Sequence, residues 1–362
     1  MVASRHSDAD SDAVPIADYA VIGDGHTAAL VSRGGSIDWL CLPRFDSAAC
    51  FSRLLGDPDG SHWLITVPGD DVAVERRYVE DTNVLETTYR TGDAEVRITD
   101  VMPTGDDRAD LVRRVEGIRG RATVRQELVI RFDYGRIRPW VHRDRAADGD
   151  PVIIAIAGPD KLALAGPHLP RAVDGRHEGE FDVAEGDQLD FVLTWAPSHR
   201  DVPPVVDIES ALAHTIASQR EWAAACEYEG PFTDQVVRSL LTLHGLTHEE
   251  TGGIVAAATT SLPEDFGGER NWDYRYAWLR DAALTVETII GTKSADRAAP
   301  WRNWLLRAIA GDPEDMQVVY TVDGGRHLPE IELDQLAGYA GRAPSGWATG
   351  PSTSARPTWS AR

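Results

Sequence analysis

Lysine is nearly missing from this 362-residue chain: Lys161 and Lys293 are the two, and every other basic residue is arginine. Acids outnumber bases, 58 against 36, for a formal charge of −22. A surface that tracks phosphates needs clustered Lys and Arg, so this balance argues against nucleic acid or an anionic membrane as a partner. Cysteine is scarce as well. Cys41, Cys50 and Cys226 form an odd set without metal-ligand spacing, which predicts free thiols in a reducing compartment and no disulfide framework. No apolar run approaches the ~18 residues of a membrane span. The acidic start, MVASRHSDADSDAVP, lacks the apolar stretch of a secretory signal. A soluble cytoplasmic protein is expected. With 42% apolar residues, the chain can bury one large or two medium cores.

Residues 1–14 read as a disordered leader. The runs YAVIG, HTAALVS and SIDWLCL follow, divided by Gly23-Asp24-Gly25 and Arg33-Gly34-Gly35, which are turn chemistry. HWLITV, VLETTYRT, EVRITDVM, ATVRQELVIRF and PVIIAIAG continue the series. Many alternate apolar with charged residues, which predicts an antiparallel β-sandwich over 15–200. Helical spacing then takes over. A linker is expected over 205–232, with Asp207 capping a helix marked by Ile208, Leu212 and Ile216. Thr233 is expected to cap the next helix, whose buried stripe is Val236, Val237, Leu240 and Leu241. Another helix is predicted at about 298–310, with Trp301, Trp304, Leu305 and Ile309 on one face.

Residues 267–290, GGERNWDYRYAWLRDAALTVETII, carry the densest chemistry. Trp272, Tyr274, Tyr276 and Trp278 alternate, so an extended backbone puts all four rings on one side. From about Arg280, the residues Ala283, Leu284, Val286, Ile289 and Ile290 take the spacing of a helix with one apolar face. Asp281 then lies in the first turn, where a carboxylate is favoured. Rings that end in a guanidinium and a carboxylate suit a sugar: aromatics stack on a pyranose face, Arg donates to hydroxyls and Asp accepts from them. The same residues also fit an ordinary strand-to-helix transition with buried rings and an Asp cap. Asp273 is expected to pair with Arg275 or Arg280. Trp39, Arg44 and Asp46 in IDWLCLPRFDS admit two readings, a turn closed by a salt bridge or a loop reaching the neighbouring sugar site.

GGIVAAATTSLPEDFGGERNWDYRYAWLRDAALTVETI, residues 252–289, resembles the opening of the catalytic domain of glycoside hydrolase family 15, which comprises bacterial glucoamylases and related trehalases. Its WDYRYxWLRD core is specific. The likeness extends through IADYAVIGDGHTAALVSRGGSIDWLCLPRFDS upstream and HLPEIELDQLAGYAG downstream, to about Gly341. The resemblance implies a multidomain β + α protein, an N-terminal antiparallel β-sandwich followed by the first part of an (α/α)6 barrel over 233–341. It implies inverting hydrolysis of terminal α-glucosidic bonds, glucoamylase-like more than trehalase-like. The partner is then an oligosaccharide or disaccharide, with no cofactor and no catalytic metal. Tyr276, Trp278, Arg280 and Asp281 are the implied glucose-binding residues, with Trp272 and Tyr274 weaker candidates. In the resembling enzymes both catalytic acids are glutamates well downstream of the WLRD segment, so no catalytic residue is assigned. Glu330 and Glu332 in LPEIELD read as a solvated loop, although the family places this loop near the pocket. Oligomeric state is not written in the sequence.

After Asp334 no acid occurs, and 342–362, RAPSGWATGPSTSARPTWSAR, contains no Leu, Ile, Val or Phe. A low-complexity tail is one reading. A displaced reading frame is the other: from Pro344, permitted codons can spell VRVGNGAVDQRQADVVGE, which resembles the family's continuation. The expectation is an aberrant tail, an incomplete helical part with exposed apolar faces, and no turnover by these 362 residues. A sugar-binding fragment without chemistry is the alternative.

Overall fold

Among the described residues, alternating side chains and glycine turns build sixteen strands before the first α-helix. The computed structural model describes residues 13–57, 59–105, 107–264, 272–291, 295–311, 313–328, 330–331, 333–341 and 348–349. Most of the leader, the Glu330 side chain, Glu332 and nearly all of the tail therefore lie outside the described residues.

The first strands are β1 (Tyr19–Gly23), β2 (Ala28–Ser32), β3 (Ser36–Cys41), β4 (Ala49–Phe51) and β5 (His62–Thr66). Next come β6 (Ala73–Tyr78), β7 (Leu85–Arg90), β8 (Glu95–Val101), β9 (Ala109–Arg119) and β10 (Arg121–Val129). The remainder are β11 (Trp140–Arg145), β12 (Pro151–Ala157), β13 (Asp160–Ala165), β14 (Arg171–Val173), β15 (Arg176–Ala184) and β16 (Gln188–Pro197). One sheet runs β1-β2-β3-β5-β10-β15-β14, with β4 beside β3; the other runs β11-β12-β13-β16-β9-β8-β7-β6. Their facing sides close over one core that includes Ile37, Trp63, Ile98, Val115, Leu164 and Phe191. Arg113 is buried between the sheets and bridges them. Its Nε donates to Asp100 (2.7 Å), while its Nη groups donate to the carbonyls of Trp63 (2.8 Å) and Gly35 (2.7 Å). Gly35 has a positive φ of 84°, and a Cβ there would meet the Ile65 carbonyl oxygen at 2.3 Å, so this turn needs glycine.

The outer faces are covered differently. Helix α1 (Ile208–Ala224) lies on the second sheet, where Ile208, Leu212 and Ile216 meet Val84, Val112 and Val192. Asp207 caps it by accepting from the Ser210 amide. Helix α2 (Thr233–His244) follows, with Leu240 and Leu241 buried. Thr233 does not cap it: the residue is already helical, and its hydroxyl donates to the Gly230 carbonyl at 2.8 Å. Phe232 occupies the cap position instead. Helices α3 (Leu279–Gly291) and α4 (Ala299–Ala308) complete the α-helices among the described residues. In α4, Trp304 is fully buried and Trp301, Leu305 and Ile309 pack around it.

The expected face of α3 needs correction. The buried set is Ala282, Thr285, Val286 and Ile289, whereas Leu284 is 58% and Ile290 47% exposed. At 100° per residue, positions 284 and 282 fall on nearly opposite sides, so α3 is apolar on two sides and only one is covered among the described residues. No helix among the described residues is long and apolar enough to cross a membrane.

The outer face of the first sheet positions the site. Ala28, Leu30, Trp39, Cys41, Phe45, Leu54 and Leu55 form a second core with Val255, Ala258, Val322, Leu336 and Tyr339. Sandwich and later segments are therefore two sides of one apolar interior. Backbone bonds add to it: Glu249 donates to Gly25 (2.7 Å) and Gly338 to Leu55 (2.8 Å).

Candidate functional site

The aromatic segment lies on this second core. Residues 272–276 run beside 256–261, joined by Ala257 N to Tyr274 O (2.7 Å), Ala256 N to Tyr276 O (3.2 Å) and Ser261 N to Trp272 O (3.1 Å). Next, β17 (Ala277–Trp278) pairs antiparallel with β18 (Val319–Tyr320), and α3 begins at once. The alternation persists as burial. Asp273, Arg275 and Ala277 are buried, whereas Trp272 is exposed and Tyr274, Tyr276 and Trp278 are half-buried. Trp272 and Tyr274 are thus not core residues. The rings of Tyr274 and Trp278 are 5.8 Å apart, and the Trp278 indole N–H donates to the Asp273 carbonyl at 3.1 Å.

Behind the rings sits a buried ion pair. Arg275 Nε and Nη2 donate to the two carboxylate oxygens of Asp273 at 3.0 and 2.6 Å. Its Nη1 donates to the Ser47 carbonyl (2.6 Å) and Cys41 Sγ (3.3 Å), and Nη2 also reaches the Tyr134 hydroxyl at 2.7 Å. All five guanidinium N–H groups are thereby used. Burial opposes its charge, but Asp273 and its other neighbours outweigh that and hold the group protonated. Burial also pushes the Cys41 thiol up to about 11, so it stays neutral. Of the two partners expected for Asp273, the structure selects Arg275.

Arg280 and Asp281 open α3. Arg280 Nη2 donates to Asp281 Oδ2 at 3.0 Å, with side chains 73% and 30% exposed, so both present polar atoms to solvent beside the wall. Burial, then the Asp273 charge, raise the Tyr276 phenol to about 12; it remains a neutral donor. Tyr276, Trp278, Arg280 and Asp281 thus share one short segment and its junction with α3. An apolar ring wall beside a paired donor and acceptor can stack a pyranose and bind its hydroxyls. Among the described residues no cluster of His, Cys, Asp and Glu could hold a metal ion.

Sequence reasoning left the PRFDS turn with two readings, and its salt bridge is present. Arg44 Nε and Nη2 donate to Asp46 at 3.0 and 3.1 Å. The turn also docks across the seam, through Arg44 Nη1 to Asp323 (2.9 Å) and the Val322 amide to Asp46 (3.3 Å). Asp323 and the buried His248 carried no sequence signal, because Arg44 and His26, which they meet, are remote in the chain.

Residues 5–193 match the family model Trehalase-like, N-terminal, and residues 230–350 match Glycosyl hydrolases family 15. The chain belongs to glycosyl hydrolase family 15. A trehalase of Mycobacterium tuberculosis is 32% identical over 90% of this chain and 51% of its own length. A trehalase of Thermoplasma volcanium is 31% identical over 94% of this chain and 55% of its own. The chain thus spans about half the length of the curated relatives it matches. A crystal structure of a bacterial glucoamylase complexed with acarbose superposes with a TM-score of 0.61 at 11% identity, covering 92% of this chain and 56% of that one. This last likeness concerns the fold.

Proposed function

We propose that this family 15 protein is of the trehalase type, its lineage hydrolysing the α-glucosidic bond of trehalose with inversion. In this reading Tyr276, Trp278, Arg280 and Asp281 grip the terminal glucose. The observation that carries it is the name shared by the relatives matched over about nine-tenths of this chain, trehalase in each. The motif-level leaning toward a glucoamylase gives way accordingly. The sandwich over 15–200 is read as the N-terminal domain and 205–232 as a linker. Residues 233–341 are read as the opening of an α/α barrel. Free thiols at Cys41, Cys50 and Cys226 support a cytoplasmic location.

Inversion needs a carboxylic acid and a carboxylate ~6.5–9.5 Å apart on opposite faces of the bond. The described carboxylates near the wall are otherwise engaged. Asp273 is locked to Arg275, Asp46 and Asp323 bind Arg44, Glu264 accepts from Tyr274, and Asp281 pairs with Arg280. Gripping, not bond cleavage, is the role assigned to these residues.

Titration calorimetry and a glucose-release assay on the purified chain test both statements. Trehalose is expected to bind more tightly than maltose, without turnover. Trp278→Ala should remove about 2 kcal/mol of ring contact, roughly thirtyfold in affinity. Tighter binding of maltose would overturn the trehalase reading. Turnover would overturn the gripping-only assignment.

A further inference from the structure

The turn carrying Arg44, Asp46 and Ser47 comes from the sandwich, yet it touches the segments just before β17 and just after β18, at Arg275 and Val322. Ser47 accepts from Arg275, which lies between Tyr274 and Tyr276 in the chain. Asp46, its side chain only 3% exposed, accepts from the Val322 amide just past β18, and β18 is paired with β17. The Asp46 charge also reaches the Tyr276 phenol, where it adds to the larger effects of burial and Asp273.

Arg44 is held from two sides. Asp46 takes Nε and Nη2, and Asp323 takes Nη1. Burial would lower its pKa, but Asp46 and Asp323 reverse the shift. Burial likewise would raise the Asp323 carboxyl; the Thr321 hydroxyl and Arg44 outweigh it and hold that group at about 2. Three of five guanidinium N–H groups are therefore committed. Each terminal nitrogen keeps one N–H without a partner among the described residues, and the side chain is 37% exposed. A surface ion pair usually gains little from such anchoring. A fork fixed by two carboxylates, with donors left over, is pre-organised to bind hydroxyl oxygens with little loss of side-chain freedom.

We propose that Arg44 is a sugar-binding residue contributed by the sandwich, donating to hydroxyls of a bound α-glucoside at the edge of the wall formed by Tyr276 and Trp278. Asp46 and Asp323 are its positioning residues. This assignment rests on the sugar reading above, and its chemistry is hydroxyl recognition by a fixed cation. The sandwich thereby takes part in binding as well as in folding.

Calorimetry with trehalose on the full chain tests it, with unfolding temperature measured for every variant. Arg44→Ala is expected to weaken binding about tenfold or more, and Arg44→Lys, which keeps charge and reach, to recover part of the loss. Asp323→Asn removes an anchor but no donor to the sugar, and should weaken binding by a smaller factor. Arg33→Ala, which breaks an exposed pair with Asp18 elsewhere on the sandwich, should leave affinity unchanged. Should Arg44→Ala not fold, Arg44→Lys and Arg44→Gln give the comparison, with Gln losing more than Lys. Arg44→Ala binding within twofold of the native chain, while Trp278→Ala loses affinity, overturns the Arg44 assignment alone. So does an Asp323→Asn loss equal to that of Arg44→Ala, or a Gln variant equal to Lys. A native chain that binds no trehalose overturns the sugar reading and this inference with it.

Discussion

Arg275→Ala is expected to lower the free energy of unfolding by about 3–5 kcal/mol. The change leaves the Asp273 carboxylate buried without its cation, and it takes donors from the Ser47 carbonyl and the Tyr134 hydroxyl. It also removes a guanidinium stacked 5.3 Å from the Tyr134 ring centre. The double variant Arg275→Met with Asp273→Leu deletes both charges together, so it should cost less than Arg275→Ala alone. Urea unfolding of the native chain, Arg275→Met, Asp273→Leu and the double variant measures the coupling. Strict additivity would show that the pair does not act as a unit.

A second large effect is expected on acidification, from two buried groups at the contact between the β1–β2 turn and residues 248–253. Asp24 accepts from the amides of His26 and Thr27 at 2.8 Å, and its second oxygen has no hydrogen-bond partner among the described residues. Burial pushes its carboxyl up from 3.8 to about 6. His248 packs edge-on to His26, with ring centres 5.2 Å apart, and its Nδ1 is 3.1 Å from the Thr251 hydroxyl. Burial, then the nearby His26 and Arg44, push its imidazole down from 6.5 to about 4, with Asp46 and Glu250 acting in the opposite sense.

The signs oppose each other. A raised acid pKa means that the folded chain binds the proton more tightly, so Asp24 contributes stability below pH 3.8 that is lost as pH rises through about 6. A depressed base pKa means that the unfolded chain protonates first, so His248 costs stability progressively from pH 6.5 down to about 4. Each shift corresponds to about 3 kcal/mol. Asp24→Asn should therefore be more stable than the native chain at pH 7 and lose about 2.5 kcal/mol of that advantage by pH 4. His248→Gln should gain by a similar amount over the same interval. Urea unfolding at pH 7, 5.5 and 4 reads both effects; parallel curves for Asp24→Asn and the native chain would rule out the Asp24 contribution.

Period-two patterning made the sandwich readable, because one face of each long strand had to be apolar. Strands such as β11, sequence WVHRDR, escaped notice: it is an edge strand with mostly polar, exposed residues and no need to alternate cleanly. The start of α3 and the place of Asp281 were legible from the change of period after Trp278. Which side of α3 is buried was not, since apolar residues lie on both sides and only tertiary packing chooses. Thr233 shows the same limit in miniature, because a hydroxyl at a helix start can accept as a cap or donate backward, as it does to Gly230. The partners across the seam were hidden, although a reach of the PRFDS loop toward the neighbouring site was one of its two readings. Trp39 donates to the carbonyl of Ala258, 219 positions later, and Arg44 meets Asp323, 279 positions later. Residue types alone name no partner at such separations.

The second core sets a timetable for synthesis. Trp39, Cys41 and Phe45 leave the ribosome long before Val255, Ala258 and Val322, the residues that roof them. At ordinary elongation rates the 219 positions between Trp39 and Ala258 take roughly 10–40 s to translate. Throughout that interval a nascent sandwich, even with its strands already paired, carries a bare greasy flank. Holding chaperones have their natural target there, and a slowed ribosome would lengthen the time during which that flank can stick to another chain.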